Sequence, residues 1–351
     1  MRRSGIVGAC VIALTVGIAP GAGALAPFTG TGDAALAEAA RPILERAPHD
    51  QAGVAYIDAT GVRYAYFGTT EDSEYEIGSI TKTFTAELFA DAVARGEVRE
   101  DTKVGELLPV AGTPVADVAL VELAAHTSGL PQFAIAPNMV LGGIQWQLEG
   151  KNPFSFDREE LLAHARCAPL LTRGAFGYST LGYALLGEAV AAAAHTDYTT
   201  LLRERIVEPL GMSDTWLPLT ASDLPADAST GFDEQGRPMD AWPIDAYSPA
   251  GGLRSTVPDL TRYARALLDG TAPGAEAMTP RWDRPFGVRS AMSWAVISRD
   301  GREYTVHSGG TGGFESVIVL DREAGRALVI ATNRLAGLEN GAFDLLKTLG
   351  D

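Results

Sequence analysis

Tyr304-Thr305-Val306-His307-Ser308-Gly309-Gly310-Thr311-Gly312-Gly313 decides the fold, because it reads as a strand entering a glycine-rich stretch. The same pattern recurs around it at residues 292–298, 316–320 and 327–333, with Asp300-Gly301 and Ala324-Gly325 at the turns. Near the other end of the chain, residues 54–57 and 62–67 alternate on either side of Asp58-Ala59-Thr60-Gly61, a hairpin signature. The middle has a helical period instead, at 81–95, 158–166, 181–194, 198–206 and 259–268. Thr256 and Pro258 start the last of these, and Gly270 stops it. Two more helices, over 33–45 and 338–349, sit at the ends. The spacing predicts an α/β chain of the α+β kind. One antiparallel sheet is built from both chain ends (about 33–78 and 288–351) and flanked by terminal helices, with a mostly helical region (about 79–287) inserted. A cleft between the two parts is the expected site, and 138–156 and 220–250 read as long loops bordering it.

With 351 residues, 46% of them hydrophobic and 21% charged, the chain can bury a sizeable core. Its net charge of −16, from 44 acidic against 28 basic residues, excludes nucleic acid as the expected partner, since phosphate binding needs a concentrated basic surface. Arg2 and Arg3, an apolar run over 5–19 interrupted by Pro20, and the small residues of 21–26 read as an export signal over 1–26, with cleavage near Ala24 or Ala26. The run is short for a membrane span, so a secreted or extracytoplasmic protein without a stable span is expected, with residues 27–351 as one domain. Cleavage removes Cys10 and leaves Cys167 as the mature chain's one cysteine, read as a structural helix-end residue rather than a nucleophile. No CxxC or HExxH spacing points to a metal, and no cofactor is called for.

Ser79-Ile80-Thr81-Lys82 opens the 81–95 helix after Gly78. A spacing of three puts the Ser79 hydroxyl and the Lys82 amine on one helix face, near the positive helix end, which suits a nucleophile beside its base. The blander reading is an N-capping serine with a solvated lysine one turn on. A lysine base must be neutral, and an ordinary amine near pKa 10.4 is not; lowering it by about three units costs about 4 kcal/mol, which burial can impose. A tyrosine could share the proton work, and Gly177-Tyr178-Ser179-Thr180 supplies one just before a helix. The strand edge at Ser308-Gly309-Gly310 lets a substrate backbone lie alongside and offers an N–H to an oxyanion. His126 reads as a structural residue near the cleft, and His49, His164 and His195 as loop, surface or packing residues. A Gly-x-Ser-x-Gly elbow is absent from the chain.

In this order, Ser79-x-x-Lys82, Tyr178-Ser179-Thr180 and His307-Ser308-Gly309 resemble the serine β-lactamase and penicillin-binding protein superfamily, and its class C branch most. The segments Leu123–Leu130, Glu208–Met212 and Ala250–Thr256 are similar to recurrent family segments, so the likeness runs from about Val54 to Asn333. The resemblance implies Ser79 as the acylated nucleophile, Lys82 as proton acceptor or electrostatic partner, and Tyr178 as general base in acylation and water activation. It also implies an oxyanion hole from the N–H groups of Ser79 and Gly310, with His307 where many relatives carry the lysine of Lys-Thr-Gly. Thr180 replaces the asparagine of the family's Tyr-x-Asn and lacks its carboxamide. The implied activity is D-alanyl-D-alanine carboxypeptidase-like or related amide hydrolysis on a small-molecule or peptide substrate. A β-lactamase-like esterase or β-lactamase is the alternative, and a penicillin-binding sensor that never turns over a further one.

Overall fold

The structure, a computed structural model, describes residues 30–45 and 51–350; the expected export signal, Cys10 and His49 lie outside the described residues. Nine of the described strands form one antiparallel sheet. Its order is Gly30–Gly32, Gly61–Phe67, Ala52–Asp58, Arg326–Thr332, Glu315–Asp321, Arg302–Gly310, Ala295–Arg299, Arg289–Ser290 and Trp282–Asp283. The two chain ends meet at its centre, where Val54 stands opposite Ile330 and Tyr56 opposite Leu328.

Alternation along the central strands explains their unbroken apolar sequence, because the sheet is covered on both faces. Val54, Val317, Val319, Leu328 and Ile330 face the terminal helices Ala34–Leu44 and Leu338–Gly350, where they pack with Leu36 and Leu346. Ala55, Ile57, Ile318 and Val329 face the inserted helical region and pack with Phe84 and Tyr263. Full burial of such a side chain contributes about 1.5–3 kcal/mol. Asp33 caps the first helix by accepting from the Leu36 N–H. The helix Thr81–Ala94 is buried almost all round, so it runs through the core rather than over it.

Three local readings are corrected. Residues 138–156 are not a loop throughout: Pro137–Glu149 is a helix, started by Pro137 and closed by Gly150 at φ +75°. Its apolar residues lie on both the inward and the outward side, which hides the helical period. The strand expected from Met292 begins at Ala295, because Ser293 takes φ +66°. The 198–206 helix is α-helical only to Leu202 and widens into a π turn over Arg203–Val207. Residues 220–250 hold no long element; they carry a two-residue strand pair, Gly231–Phe232 against Pro238–Met239, between 3-10 turns at Ala221–Asp223 and Asp245–Ala250. Among the described residues no helix is long and apolar enough to cross a membrane.

Candidate active site

The three motifs meet at one end of the sheet. Ser79 lies in a tight 3-10 turn, Gly78–Ile80, that feeds the helix Thr81–Ala94. Gly78 takes φ +49°, and a Cβ there would lie 2.7 Å from the backbone of Gly310. A Cβ on Gly309 would lie 2.0 Å from the Ile77 carbonyl oxygen, to which the Ser316 hydroxyl donates at 2.9 Å. The glycines therefore let the Ser79 turn press against the end of the Arg302–Gly310 strand.

Lys82 is buried, and its Nζ donates to Ser79 Oγ at 3.1 Å and to the Ala250 carbonyl at 2.6 Å. Burial brings its pKa down to about 7. The amine also lies 5.0 Å from the centre of the Tyr178 ring. The Tyr178 hydroxyl hydrogen-bonds Ser79; burial pushes its pKa up to about 12, opposed by that bond and by the Arg284 cation. At neutral pH the tyrosine is thus protonated, while the lysine sits close to half-neutral.

His126 holds the tyrosine loop. It is buried at φ +58°, its ring lies 4.5 Å from that of Tyr178, and its Nδ1 accepts the Ser179 N–H at 3.1 Å. Burial, together with the cations Arg284 and Lys82, keeps it neutral by holding its pKa well below the usual range. Ser179 fixes the next turn by donating to the Pro131 carbonyl and accepting from the Gly182 N–H, as an N-cap. Thr180 begins the helix Thr180–Ala193 and faces the cavity over Ser79.

The structure divides the His307-Ser308-Gly309 segment. His307 is buried next to the site, and its Nδ1–H donates to the Ser308 carbonyl at 2.8 Å. Burial and the nearby Lys82 push its pKa down to about 3, so it carries no charge. The Ser308 hydroxyl is not brought to the site: it points through the sheet to Glu339 of the last helix, at 2.7 Å. Gly310 lines the cavity with Ser79, Lys82 and Thr180.

Several site residues have no readable signal in the sequence. Arg284 is one: its guanidinium stacks 4.1 Å over Phe176, and burial pulls its pKa down to about 10. Among the described residues no carboxylate pairs with it, and its buried Nε has no hydrogen-bond partner. It is the fixed cation near Tyr178 that His307 does not provide. The cavity, about 60 Å³, is walled by Phe133, Phe154, Trp242, Ile244 and Tyr247, with Phe154 4.8 Å from Phe133 and 5.1 Å from Trp242. Buried Glu76 ties this wall to the Ser79 turn, accepting from the Trp242 N–H at 2.7 Å and the Thr311 hydroxyl at 2.7 Å while pairing with Arg254 at 3.3 Å. Among the described residues no cluster of His, Cys, Asp and Glu could hold a metal. His164 packs behind the cavity wall, its Nδ1 3.0 Å from the Tyr247 hydroxyl, and Cys167 is exposed at a helix end.

Comparison with known proteins gives the family and the fold. The family model described as Beta-lactamase matches residues 40–348. "Penicillin-binding protein 4" of Amycolatopsis lactamdurans is 30% identical over 323 residues, covering 83% of this chain and 80% of that protein. "Putative beta-lactamase-like 1" of Homo sapiens is 43% identical over 94 residues, only 26% of this chain and 19% of that protein. Among solved structures, a class C beta lactamase from Rhodobacter sphaeroides superposes with a TM-score of 0.76 at 21% identity, covering 90% of this chain and 99% of that one. The chain belongs to the Beta-lactamase family and has the fold of its class C members.

Proposed function

We propose that this chain is an exported serine hydrolase working through an acyl-enzyme on Ser79, with D-alanyl-D-alanine carboxypeptidase-like activity. Ser79 Oγ attacks the substrate carbonyl and its proton passes to Lys82, the group whose pKa near 7 suits a base. The tetrahedral oxyanion rests on the N–H groups of Ser79 and Gly310. It collapses as the leaving amine takes a proton from Tyr178, which Lys82 replaces. Water then enters by the reverse route, and the acid product leaves.

The observation that carries the peptidase reading is Arg284, a cation beside Tyr178 that no carboxylate among the described residues pairs with. A C-terminal carboxylate on the leaving group supplies that partner, and a simple ester does not. The esterase reading is favoured by a different observation, namely that Thr180 and an aromatic wall line the cavity where an amide-binding carboxamide is absent. Release of D-alanine from a D-alanyl-D-alanine peptide, set against hydrolysis of a short nitrophenyl ester, tests the choice. Peptide turnover that requires Ser79 supports the first reading, and ester turnover alone overturns it. An acyl-enzyme burst with no steady state identifies a sensor.

A further inference from the structure

The helix Pro137–Glu149 turns an apolar stripe outward. Val140, Leu141, Ile144 and Leu148 are 61, 58, 50 and 74% exposed, at helical spacing, and Ile135 just before them is 68% exposed. Its other side is also apolar, with Met139, Gly142 and Trp146 turned inward. A surface helix ordinarily presents charge outward, yet from Leu123 to Leu148 the chain carries no Asp, Glu, Lys or Arg, although 21% of all residues are charged. The stripe borders an open apolar groove of about 550 Å³ lined by Ile135, Val140, Leu141 and Ile144.

This groove lies beside the cavity over the nucleophile. Phe133, two residues from Ile135, lines that cavity and is itself 37% exposed, and Trp146 of the same helix meets Trp242 of the cavity wall at 6.3 Å. From Ser79 outward the surface on the acyl side is thus aromatic, then aliphatic, with no charge on the helix before Glu149. We infer that the groove receives the hydrocarbon chain of the substrate's acyl part, so that the enzyme prefers long-chain acyl donors. This rests on the acyl-enzyme reading of Ser79. A bilayer is a poorer occupant, because the helix offers no cation for lipid headgroups and the chain as a whole carries −16.

The test compares kcat/KM for nitrophenyl acetate, butanoate, octanoate and decanoate, each below its micelle threshold, in the wild type and in the Ile144→Gln/Leu148→Gln double variant. Full burial of each methylene gives about fourfold. A partly covered chain should raise kcat/KM at least tenfold from butanoate to decanoate in the wild type. The variant should lose that rise and keep its acetate rate. A flat wild-type series overturns the inference, as does an equal loss on acetate and decanoate. So does a long-chain preference that appears only with phosphatidylcholine vesicles, or a variant that changes solution mass by light scattering and leaves the chain-length profile intact. If acetate is not hydrolysed at all, the Ser79 reading fails separately. The groove is then tested by binding of a dansyl-undecanoate probe to Ser79→Ala, which must weaken when the two Gln substitutions are added; unchanged binding overturns the assignment.

Discussion

Lys82 Nζ lies 3.1 Å from Ser79 Oγ, and the same nitrogen donates to the Ala250 carbonyl at 2.6 Å. The amine is therefore held over the serine by a backbone group from a segment far along the chain, and burial alone lowers its pKa to about 7. If Ser79 carries the acyl group, the intact mass of protein mixed with benzylpenicillin gains one penicilloyl unit, and Ser79→Ala gains none while keeping its circular dichroism. An adduct that survives in Ser79→Ala rules the nucleophile out.

The Lys82 pKa sets the pH response. The protonated amine cannot accept the serine proton, so kcat/KM should fall about tenfold per pH unit below pH 7 and level off above it. Stability follows the same shift: the unfolded lysine keeps its proton up to about pH 10.4 and the folded one does not, so this group's contribution improves as pH rises from about 7 to 10.4. A rate profile without an inflection near 7 removes Lys82 as the base.

Tyr178→Phe deletes the hydroxyl proposed to relay the proton and leaves the ring against His126 in place. Acylation and deacylation should both slow by about 10²–10⁴-fold, with the melting temperature little changed. Pre-steady-state mixing resolves the two steps, and unchanged rates argue that Lys82 serves the leaving group directly.

Arg284→Gln should discriminate between substrates. Losing a charge-assisted contact costs about 1.5–3 kcal/mol, so kcat/KM for a D-alanyl-D-alanine peptide should drop by about 10–100-fold. A neutral nitrophenyl ester should be nearly unaffected. Equal losses on both would mean that Arg284 acts through Tyr178 rather than on a carboxylate.

Glu76→Ala removes the buried partner of Arg254 and the acceptor for the Trp242 and Thr311 groups. Stranding that arginine should destabilise the protein by about 3 kcal/mol in urea unfolding. A loss below 1 kcal/mol would show that Glu74, 3.3 Å from Arg254, is sufficient.

What could be read from the sequence was whatever is local. The alternating strands and the three-residue spacing of Ser79 and Lys82 each rest on neighbours in the chain, so the sheet and the three motifs were legible. Arg284 was not, because its meaning comes from Phe176 and Tyr178, more than a hundred residues away. Ser308 misled for the opposite reason: it sits inside a recognisable motif, but strand alternation turns its hydroxyl toward Glu339. The Pro137–Glu149 helix was hidden because apolar residues on its outer side erase the contrast that marks a helix face.

The central pairing of Ala52–Asp58 with Arg326–Thr332 also governs when the enzyme comes into being. Hydrogen bonds between segments so far apart close a very long loop, and such contacts form slowly. Until these C-terminal strands have been synthesised, the N-terminal hairpin lacks its inner neighbour and Ser79 lacks the glycine edge at Gly310. A nascent chain is therefore left without a finished core, and Ser79 without its neighbour in the sheet.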